Sequence, residues 1–536
     1  MTHELELDAV VVGAGFSGIY MTHVLKKGGY SVQLFEAGEE VGGTWYWNRY
    51  PGARCDTPSE FYSYAFSEEL YKGWTWSSFY PKQDEILDYM KYVVDKLDIR
   101  QDIRFTSRLQ SAEYDESINR WRIRINESVI IAKYFFPAIG GLTTIHKPDI
   151  KGLENFQGEQ YHTSRWPKEK VDLKGKRVGI IGTGSSGVQN IIATAKEAAH
   201  LTVFQRTAQY VLPVKNPLLT EEEIKEVKEN FHTLRKRTRE HPTGMPSFPI
   251  LRNYSALDDT PEERNKFYEQ LWQESRGFQP LFAYNDLMLN KESNETLAEF
   301  IRSKIREIVK DPETVDNLLP TYLVGAKRPV VGIDYYETYN RDNVSLVNLR
   351  KTPFVECTES GLRTTDKEHE LDIIIYASGF DVGIGPVRDA KIRGRDGILL
   401  NEKWEEGHDF KSLAGGFVNG FPNMFLISFT YPLGVNIPPM VEFMGDRIYD
   451  CLKHFEEKGM DVIEISSELE EAWSNRIQEI GDMTFLTTVD SWFNGANIGR
   501  PRKVIGYAGD FQMYQEDIAN FLDYKRFKSM NEIGVK

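Results

Sequence analysis

The chain contains 536 residues, of which 40% are hydrophobic and 27% are charged, and its glycine and proline contents are close to average. This balance excludes collagen-like and low-complexity chains and predicts two to four globular domains of about 100–200 residues each. The formal net charge of −15 disfavours a nucleic-acid partner, because a negative surface is repelled by phosphate backbones.

The three cysteines, Cys55, Cys357 and Cys451, are too few for a disulfide framework and indicate a reducing compartment. The first residues are acidic and lead directly into an apolar run, unlike a signal peptide. No stretch approaches the ~20 consecutive apolar residues of a membrane span. We therefore expect a cytoplasmic protein with no membrane partner, whereas the sequence does not indicate an oligomeric state.

The first predicted unit combines a buried strand, a glycine-rich loop, a helix and a second strand. The strand Leu7–Val12 leads into the GxGxxG loop Gly13–Gly18, a helix follows from Ile19 to about Lys27, and the strand Ser31–Phe35 ends at Glu36. In such a unit the glycines permit a tight turn, backbone approach to a pyrophosphate and close helix packing, and a terminal acid bonds a free ribose hydroxyl. The unit predicts an FAD site formed by Gly13, Gly15, Phe16, Ser17, Gly18 and Glu36.

A second copy of this unit follows far downstream. It comprises the strand Lys176–Ile181, the loop Gly182–Gly187, a helix from Val188 to about Ala199 and the strand His200–Phe204. Arginine stands here where the first copy has its acid, and arginine suits a 2′-phosphate, although a solvated surface charge is the structural alternative. The unit predicts an NADP site formed by Thr183, Gly184, Ser185, Ser186, Gly187, Gln189, Arg206 and Thr207.

The other segments predict how the two units are connected. A charged helical pattern runs from Leu218 to about Leu319, the strand Leu371–Tyr376 follows it, and the remaining chain has too few βαβ signals for a third domain. We therefore predict an α/β fold of two dinucleotide-binding, Rossmann-like domains, with a mostly helical insertion in the NADP domain. The predicted boundaries are 1–142 (N-terminal segment of the FAD domain), 143–168 (linker), 169–385 (NADP domain, insertion about 215–325) and 386–536 (C-terminal segment of the FAD domain).

Two nucleotide sites in one chain suggest a flavin that accepts hydride from a nicotinamide. A disulfide reductase would also need a reactive cysteine pair, and no two cysteines are close in this sequence. The composition offers no metal site, and we predict none.

Several longer motifs resemble one enzyme family. Residues Phe156–Pro167 match the pattern FxGxxxHxxxWP, and Gly43–Trp45 with Tyr50–Asp56 match GxWxxxx(F/Y)PGxxxD. Further matching segments are Ala326–Pro329, Tyr339–Val344 and Ser491–Asn497. In collinear order from about residue 7 to residue 500, the chain resembles the class I flavin-dependent Baeyer–Villiger monooxygenases of the cyclohexanone monooxygenase type.

The resemblance implies a reaction and its catalytic residues. NADPH would reduce FAD, the reduced flavin would hold O2 as a C4a-peroxide, and the peroxide would convert a small-molecule ketone to an ester or lactone. By family match Arg328 supplies the fixed cation that the peroxide and the oxyanion need, and Asp56 holds it. The structural alternatives are an interface ion pair for Arg328 and a helix cap for Asp56. His162, in the linker, is interpreted as structural rather than acid–base.

The resemblance also implies further cofactor contacts. Lys327 and Arg206 together would hold the 2′-phosphate. Trp492 resembles a residue on a mobile loop near 485–504 that closes over NADP(H), with a buried core tryptophan as the alternative. The other implied cofactor residues are Thr44, Trp45, Arg54, Asp56, Tyr62, Leu109, Arg328 and Ile437.

One departure from the family pattern leaves other functions open. A Gly-Pro turn is usual after Ile427, whereas this chain continues with Ser428–Gly434, which includes Phe429 and Tyr431. We predict that these aromatic residues reshape the ketone pocket. The alternatives are a flavin monooxygenase that oxygenates sulfur or nitrogen, for which Arg328 is dispensable, and an NADPH-binding redox flavoprotein without oxygen insertion, which the altered turn would support.

Overall fold

The computed structural model of the chain describes residues 5–427 and 432–528. The altered turn lies largely outside the described residues, because residues 428–431 are not among them. The predicted influence of Phe429 and Tyr431 on the ketone pocket therefore stays a prediction.

The regular elements of the described residues are strands and helices, with a run of strands between residues 103 and 181 and a run of helices between residues 221 and 318. The strands are β1 (Leu5–Val12), β2 (Val32–Phe35), β3 (Ile103–Arg104), β4 (Leu109–Asp115), β5 (Arg120–Ile125), β6 (Ser128–Pro137), β7 (Glu159–His162), β8 (Arg177–Ile181), β9 (His200–Gln205), β10 (Val211–Pro213), β11 (Val330–Gly332), β12 (Val344–Asn348), β13 (Phe354–Cys357), β14 (Gly361–Thr364), β15 (Glu368–Glu370), β16 (Ile373–Tyr376) and β17 (Ile392–Arg393). The helices are α1 (Phe16–Lys27), α2 (Thr44–Trp47), α3 (Glu68–Lys72), α4 (Gln83–Lys96), α5 (Ser185–Thr194), α6 (Glu221–Glu229), α7 (Phe231–Glu240), α8 (Pro261–Glu274), α9 (Lys291–Ile308), α10 (Pro312–Leu318), α11 (Tyr335–Thr338), α12 (Ile384–Ala390), α13 (Leu400–Lys403), α14 (Ile437–Glu457), α15 (Ser467–Asp482) and α16 (Phe511–Phe521).

The first domain is built on a seven-stranded sheet with the strand order β17-β4-β5-β6-β1-β2-β3. Strand β1 lies between β6 and β2 and is parallel to both, and its side chains are fully buried from Ala9 to Val11. Helices α1 and α14 pack together beside this sheet, because Gly445 leaves space for the ring of Tyr20. The Tyr20 hydroxyl donates to Asp446 Oδ1 at 2.7 Å. A helix from the far end of the sequence thus packs on the first domain, and the predicted domain boundaries stay predictions.

The second domain is built on a five-stranded, wholly parallel sheet with the order β12-β9-β8-β16-β7. Its apolar strands are those of a sheet covered on both faces. Strand β7 comes from the predicted linker and forms one edge of this sheet. Helices α6 to α10 follow β10 and form the predicted helical insertion. The α/β fold class is therefore as predicted.

The chain passes between the two domains twice, and the two connecting segments lie side by side. Ile145 and Phe380 form an antiparallel bridge. The His146 N–H donates to the Gly379 carbonyl at 3.0 Å, and the Asp381 N–H donates to the Thr144 carbonyl at 3.0 Å. The two connections are therefore hydrogen-bonded to each other over residues 144–146 and 379–381, and we call this pair of segments the strap.

Several predicted helix boundaries differ from the structure. Helix α1 begins at Phe16 and α5 at Ser185, each three residues before its predicted start. The helix expected to reach about Ala199 is α5, which ends at Thr194. The Asn343 side-chain amide donates to the carbonyls of Ala195 and Ala198, both at 3.0 Å. This distant side chain bonds carbonyls beyond the end of the helix, which local sequence patterns do not reveal. Within residues 5–427 and 432–528, no helix is long and apolar enough to cross a membrane, and no cluster of side chains could bind a metal ion.

Candidate active site

The first glycine loop packs tightly at both ends. Gly13 has a φ of +105°, and a Cβ on it would lie 2.4 Å from the Ala138 carbonyl oxygen. A Cβ on Gly18 would lie 1.8 Å from the Gly13 carbonyl oxygen. Gly43, just before α2, approaches the middle glycine so closely that its own Cβ would lie 2.8 Å from Gly15 Cα. Two bare backbones therefore converge where α1 begins, as a pyrophosphate site at a helix N-terminus requires.

The acid that ends β2 faces this loop. Glu36 is 4% exposed, and its carboxylate accepts hydrogen bonds from the N–H groups of Ala14 and Gly38, both at 2.7 Å. Burial raises the pKa of Glu36, while these N–H groups oppose that shift. The Ser107 N–H donates to the Glu36 carbonyl at 2.8 Å, two residues before Leu109, which begins β4. Each carboxylate oxygen keeps a lone pair for a ribose hydroxyl.

Aromatic side chains gather beside the same loop. Trp45 Nε1 donates to the Tyr62 hydroxyl at 2.9 Å, and the Tyr62 ring meets Phe16 edge-on with centroids 5.2 Å apart. Thr44 is the first residue of α2, immediately after Gly43. These are the residues expected to surround the flavin, and the structure brings them together at one end of α1.

The N-terminus of α14 supplies an acceptor that awaits a donor. Ile437 is the first residue of this helix, and Asn436 precedes it. The Asn436 amide nitrogen donates to the Phe61 carbonyl at 2.5 Å, whereas its buried Oδ1 has no hydrogen-bond partner among the described residues. Buried polar atoms are nearly always bonded, so this oxygen fits a ligand N–H such as that of a flavin ring. The first domain therefore fits FAD.

The second glycine loop repeats the first with one difference. Gly182 has a φ of +108°, and its Cβ would lie 2.5 Å from the Ala377 carbonyl oxygen. A Cβ on Gly187 would lie 2.2 Å from the Gly182 carbonyl oxygen. A Cβ on Gly184, at the start of α5, would meet no described heavy atom within 4 Å beyond its immediate neighbours. This bare backbone is open to a nucleotide, and it fits NADP(H).

Cations converge beyond the end of β9. Arg350 Nε donates to the Arg206 carbonyl at 2.9 Å, and its Nη2 donates to Thr207 Oγ1 at 3.3 Å. Burial and then the charge of Arg206 lower the pKa of Lys327 to about 8, and Arg350 and Arg502 act in the same direction. Several cations close enough to lower the pKa of Lys327 are suited to a phosphate dianion. Sequence reasoning missed Arg350, because only the fold brings it to Arg206.

A guanidinium–carboxylate pair joins the two domains. Arg328 Nη1 lies 2.6 Å from Asp56 Oδ2 and donates to Ser185 Oγ at 3.2 Å. Its Cζ lies 5.7 Å from the centre of the Phe278 ring. Asp56 follows the first domain's proline–glycine turn, while Ser185 begins α5 of the second. The structure therefore places the predicted cation and its predicted carboxylate in contact where the two domains meet.

The proline–glycine turn rests on α5. Gln189 Oε1 accepts hydrogen bonds from the Tyr50 hydroxyl at 2.8 Å and the Arg54 N–H at 3.3 Å, and its amide donates to the Arg54 carbonyl at 3.1 Å. A Cβ on Gly52 would lie 2.6 Å from the Gln189 carbonyl oxygen. The Gln189 amide thus bonds across the boundary between the domains, and its predicted cofactor contact stays a prediction. Burial lowers the pKa of Arg54.

Three further predicted residues have defined surroundings. Thr183 Oγ1 donates to the Thr207 carbonyl at 3.2 Å, and Ser186 hydrogen-bonds the side chain of Tyr50. Trp492 is half-buried against Phe493, with ring centroids 4.3 Å apart.

The linker histidine is poorly suited to proton transfer. His162 is 5% exposed, and its Nδ1 bonds the N–H and the hydroxyl of Ser164. Burial, together with the charge of Arg165, lowers the pKa of His162 to about 4. The imidazole is therefore neutral near pH 7, which supports its structural interpretation.

These features define a class of protein: a two-nucleotide oxidoreductase with an arginine–carboxylate pair where its two domains meet. Residues 10–241 match the family described as pyridine nucleotide-disulphide oxidoreductase. The three cysteines, Cys55, Cys357 and Cys451, are nevertheless free and buried, so they form no redox pair. The match therefore describes the nucleotide-binding fold rather than disulfide chemistry.

Comparisons with known proteins specify the family. A Baeyer–Villiger monooxygenase of Pseudooceanicola batsensis is 39% identical over 96% of this chain and 94% of its own. A phenazine N-monooxygenase of Lysobacter antibioticus is 40% identical over 96% of this chain and 95% of its own. The structure of cyclohexanone monooxygenase from Rhodococcus sp. Phi1 bound to NADP+ matches with a TM-score of 0.94 at 39% identity, covering 98% of this chain and 99% of that one.

The chain belongs to the flavin-dependent Baeyer–Villiger monooxygenase family. Other matches include monooxygenases described as FAD-binding and a structure holding both FAD and NADP. The predicted family, the α/β fold class, the monooxygenase function and the two cofactors are thereby confirmed. The domain boundaries and the roles of individual site residues stay predictions.

Proposed function

We propose that the enzyme converts a small-molecule ketone to an ester or lactone with O2 and NADPH, and that Arg328 is the residue on which oxygen insertion depends. The supporting observation is the 2.6 Å contact between Arg328 and Asp56 at the point where the two domains face each other. We further propose that it works in the cytoplasm.

The chain's own groups suit this chemistry. FAD, when bound and reduced by NADPH, supplies the activation of O2. The ketone oxygen becomes an oxyanion when its carbonyl is attacked, and Arg328 offers a permanent positive charge that can stabilise it. Asp56 fixes the orientation of the guanidinium, and the ring of Phe278 lies beside it. A preorganised cation in such surroundings stabilises developing charge more strongly than solvent would.

The proposal extends to the nucleotide contacts. The N-terminus of α5 directs backbone N–H groups to the pyrophosphate of NADP(H), and Gly184 leaves room for it. Arg206 and Lys327 bind the 2′-phosphate, and Arg350 adds a third cation there. In the first domain, Glu36 binds the adenosine ribose of FAD beside Leu109, while Asn436 accepts a hydrogen bond from the flavin.

A second candidate function is oxygenation of an aromatic nitrogen. The observation that favours it is the 40% identity to a phenazine N-monooxygenase over almost the whole chain. Attack by a nitrogen lone pair forms no oxyanion on the substrate, so this reaction demands less of Arg328. The two candidates therefore differ in how strongly they depend on one side chain.

Product identification decides between them. The purified FAD-loaded enzyme is given NADPH, ¹⁸O2 and either cyclic and linear ketones or nitrogen heteroaromatics. We expect one ¹⁸O atom in an ester or lactone, with one NADPH consumed for each product formed. A heteroaromatic N-oxide as the main product would establish the second candidate. NADPH consumption that yields only hydrogen peroxide with every compound would contradict both.

A further inference from the structure

A buried carboxylate on the strap between the domains binds two arginines. Asp381 is 7% exposed; its Oδ1 accepts a hydrogen bond from Arg500 Nη1 at 2.7 Å, and its Oδ2 accepts one from Arg388 Nη1 at 3.0 Å. The Arg500 side chain is 13% exposed and the Arg388 side chain 42%. Arg388 belongs to α12, just after Asp381, whereas Arg500 comes from the distant segment 485–504. The Asp381–Arg500 pair is therefore a long-range tie.

The 485–504 segment is held at its other end by the phosphate-binding cations. Lys327 Nζ donates to the carbonyl of Asp490. Arg502 Nε also lies 2.7 Å from the Asp490 side chain. We call Lys327 and the neighbouring Arg206 and Arg350 the Lys327 cluster. The segment thus extends from this cluster to the strap between the domains.

The same segment contains a hydrogen-bonded part and, after it, two glycines with left-handed backbone angles. The buried Asn494 amide donates to the carbonyls of Leu486 and Val489, at 2.7 and 2.8 Å. Gly495 and Gly499 adopt left-handed φ values of 72° and 85° on either side of one short helical turn. Arg500 follows the second of these glycines directly. The ordered unit from Leu486 to Asn494 is thus connected to Arg500 through a short turn between two glycines, and its position relative to the domains depends on the outer contacts of the segment.

We propose that the Asp381–Arg500 pair is a latch that holds the 485–504 segment against the Lys327 cluster and so governs how long NADP(H) stays bound. Asp381 and Arg500 are then positioning residues: they act through the segment and the strap rather than on substrate. This inference rests on the proposed function, because it takes Lys327 and Arg206 as the NADP(H) phosphate site.

The surroundings of the pair explain why it can act as a latch. Both side chains are largely withdrawn from water, so their attraction is screened less than that of a surface pair. Removal of Arg500 leaves Asp381 still paired with Arg388, so no buried charge is orphaned. Removal of the Arg500 side chain therefore weakens the attachment of the 485–504 segment and leaves the strap folded.

Three variants of the full-length, FAD-loaded enzyme test this proposal. Arg500→Ala removes the latch, Arg500→Lys keeps its charge, and Arg388→Ala removes the other partner of the same carboxylate as the matched control. Two measurements need no turnover: the rate of NADP+ dissociation by stopped-flow displacement, and hydrogen exchange of 485–504 with and without NADP+. Flavin content and thermal melting establish that each variant is folded.

We expect Arg500→Ala to accelerate NADP+ dissociation by about tenfold or more, because loss of a buried charge partner acts mainly on dissociation. NADP+ should then no longer protect 485–504 from exchange. Arg500→Lys should restore part of both effects, and Arg388→Ala should stay within about twofold of wild type.

Two results would overturn the latch. One is wild-type dissociation and exchange in a folded Arg500→Ala variant. The other is an equal effect of Arg388→Ala, which would make Asp381 a purely structural anchor. A failure of the proposed function is separable, because it would show in the products of the wild-type enzyme while NADP+ binding and exchange remained measurable.

Discussion

The two glycine loops have the same close backbone contacts at their first and third glycines but different surroundings at their middle glycines. In both, the first and third glycines touch backbone so closely that any side chain would collide. The middle glycine of the first loop is covered by Gly43, whereas Gly184 of the second faces open space. The strand that follows the first loop and its helix ends at the buried Glu36, and the corresponding strand of the second unit ends at the exposed Arg206. The shared contacts form the fold, and the differences suit one nucleotide that is enclosed and one that exchanges.

The sharpest way to test this comparison is to add one methyl group at two positions. Gly18→Ala places a Cβ 1.8 Å from a backbone oxygen, so it should cost more than the ~1–3 kcal/mol of ordinary overpacking and abolish recovery of yellow protein. Gly184→Ala, at a φ of −76°, should fold and keep FAD. Its methyl group fills the open space, and we expect the KM for NADPH to rise about tenfold. Flavin-to-protein absorbance ratios and steady-state kinetics check both. A flavin-loaded Gly18→Ala enzyme would contradict the comparison.

Arg328 contacts both domains, so its removal tests the junction between them. Arg328→Ala should lower product formation by ~10²–10³, the usual cost of losing one preorganised charge. NADPH should still be consumed in air and hydrogen peroxide released, because both nucleotide loops are intact. Arg328→Lys should recover only a fraction of the activity, since lysine keeps the charge and loses the forked geometry. Product analysis together with peroxide and NADPH assays measures how much of the consumed NADPH leads to product and how much to hydrogen peroxide. Full product yield from Arg328→Ala would remove this residue from the mechanism and favour nitrogen oxygenation.

The contrast between Glu36 and Arg206 predicts which nicotinamide cofactor is used. Arg206→Ala should reduce the preference for NADPH over NADH by ~10–150-fold, equivalent to one charged hydrogen bond of ~1.5–3 kcal/mol. Arg350→Ala should act in the same direction but less, because Arg350 bonds the Arg206 carbonyl as well. Arg363→Ala is the matched control, because it removes a cation on β14 that pairs with Glu356 on the neighbouring antiparallel strand β13. An unchanged preference in both cluster variants would place the phosphate elsewhere.

The smallest effect concerns pH. The pKa of Lys327, lowered to about 8 by burial and by Arg206, means that this lysine loses its proton first as pH rises. The 2′-phosphate is already dianionic above about pH 6, so only the lysine changes charge. The KM for NADPH should therefore climb above pH 8, by at most about tenfold for each pH unit, while that for NADH stays flat. Lys327→Arg should abolish the climb, because arginine remains charged.

The sequence could predict the features that contiguous residues form, but not those that only the fold brings together. Both glycine loops were found because strand, loop and helix are contiguous, and local rules specify them. The Arg328–Asp56 contact was implied only by resemblance, since the two residues are far apart in the chain. Arg350 and the Asp381–Arg500 pair carry no local signal, because only tertiary packing brings them to their partners. The early end of α5 was missed for the same reason, since Asn343 reaches it from another element.

The way the chain leaves the seven-stranded sheet and returns to it also constrains how the protein is made. Strand β17 pairs with β4, and α14 packs on α1, although the whole five-stranded sheet is encoded between these partners. During synthesis the second sheet can therefore form while the first still lacks β17 and α14. Such distant pairings slow folding, because a long loop must close before they contribute. The flavin pocket, which needs the start of α14, can be completed only after most of the chain has left the ribosome.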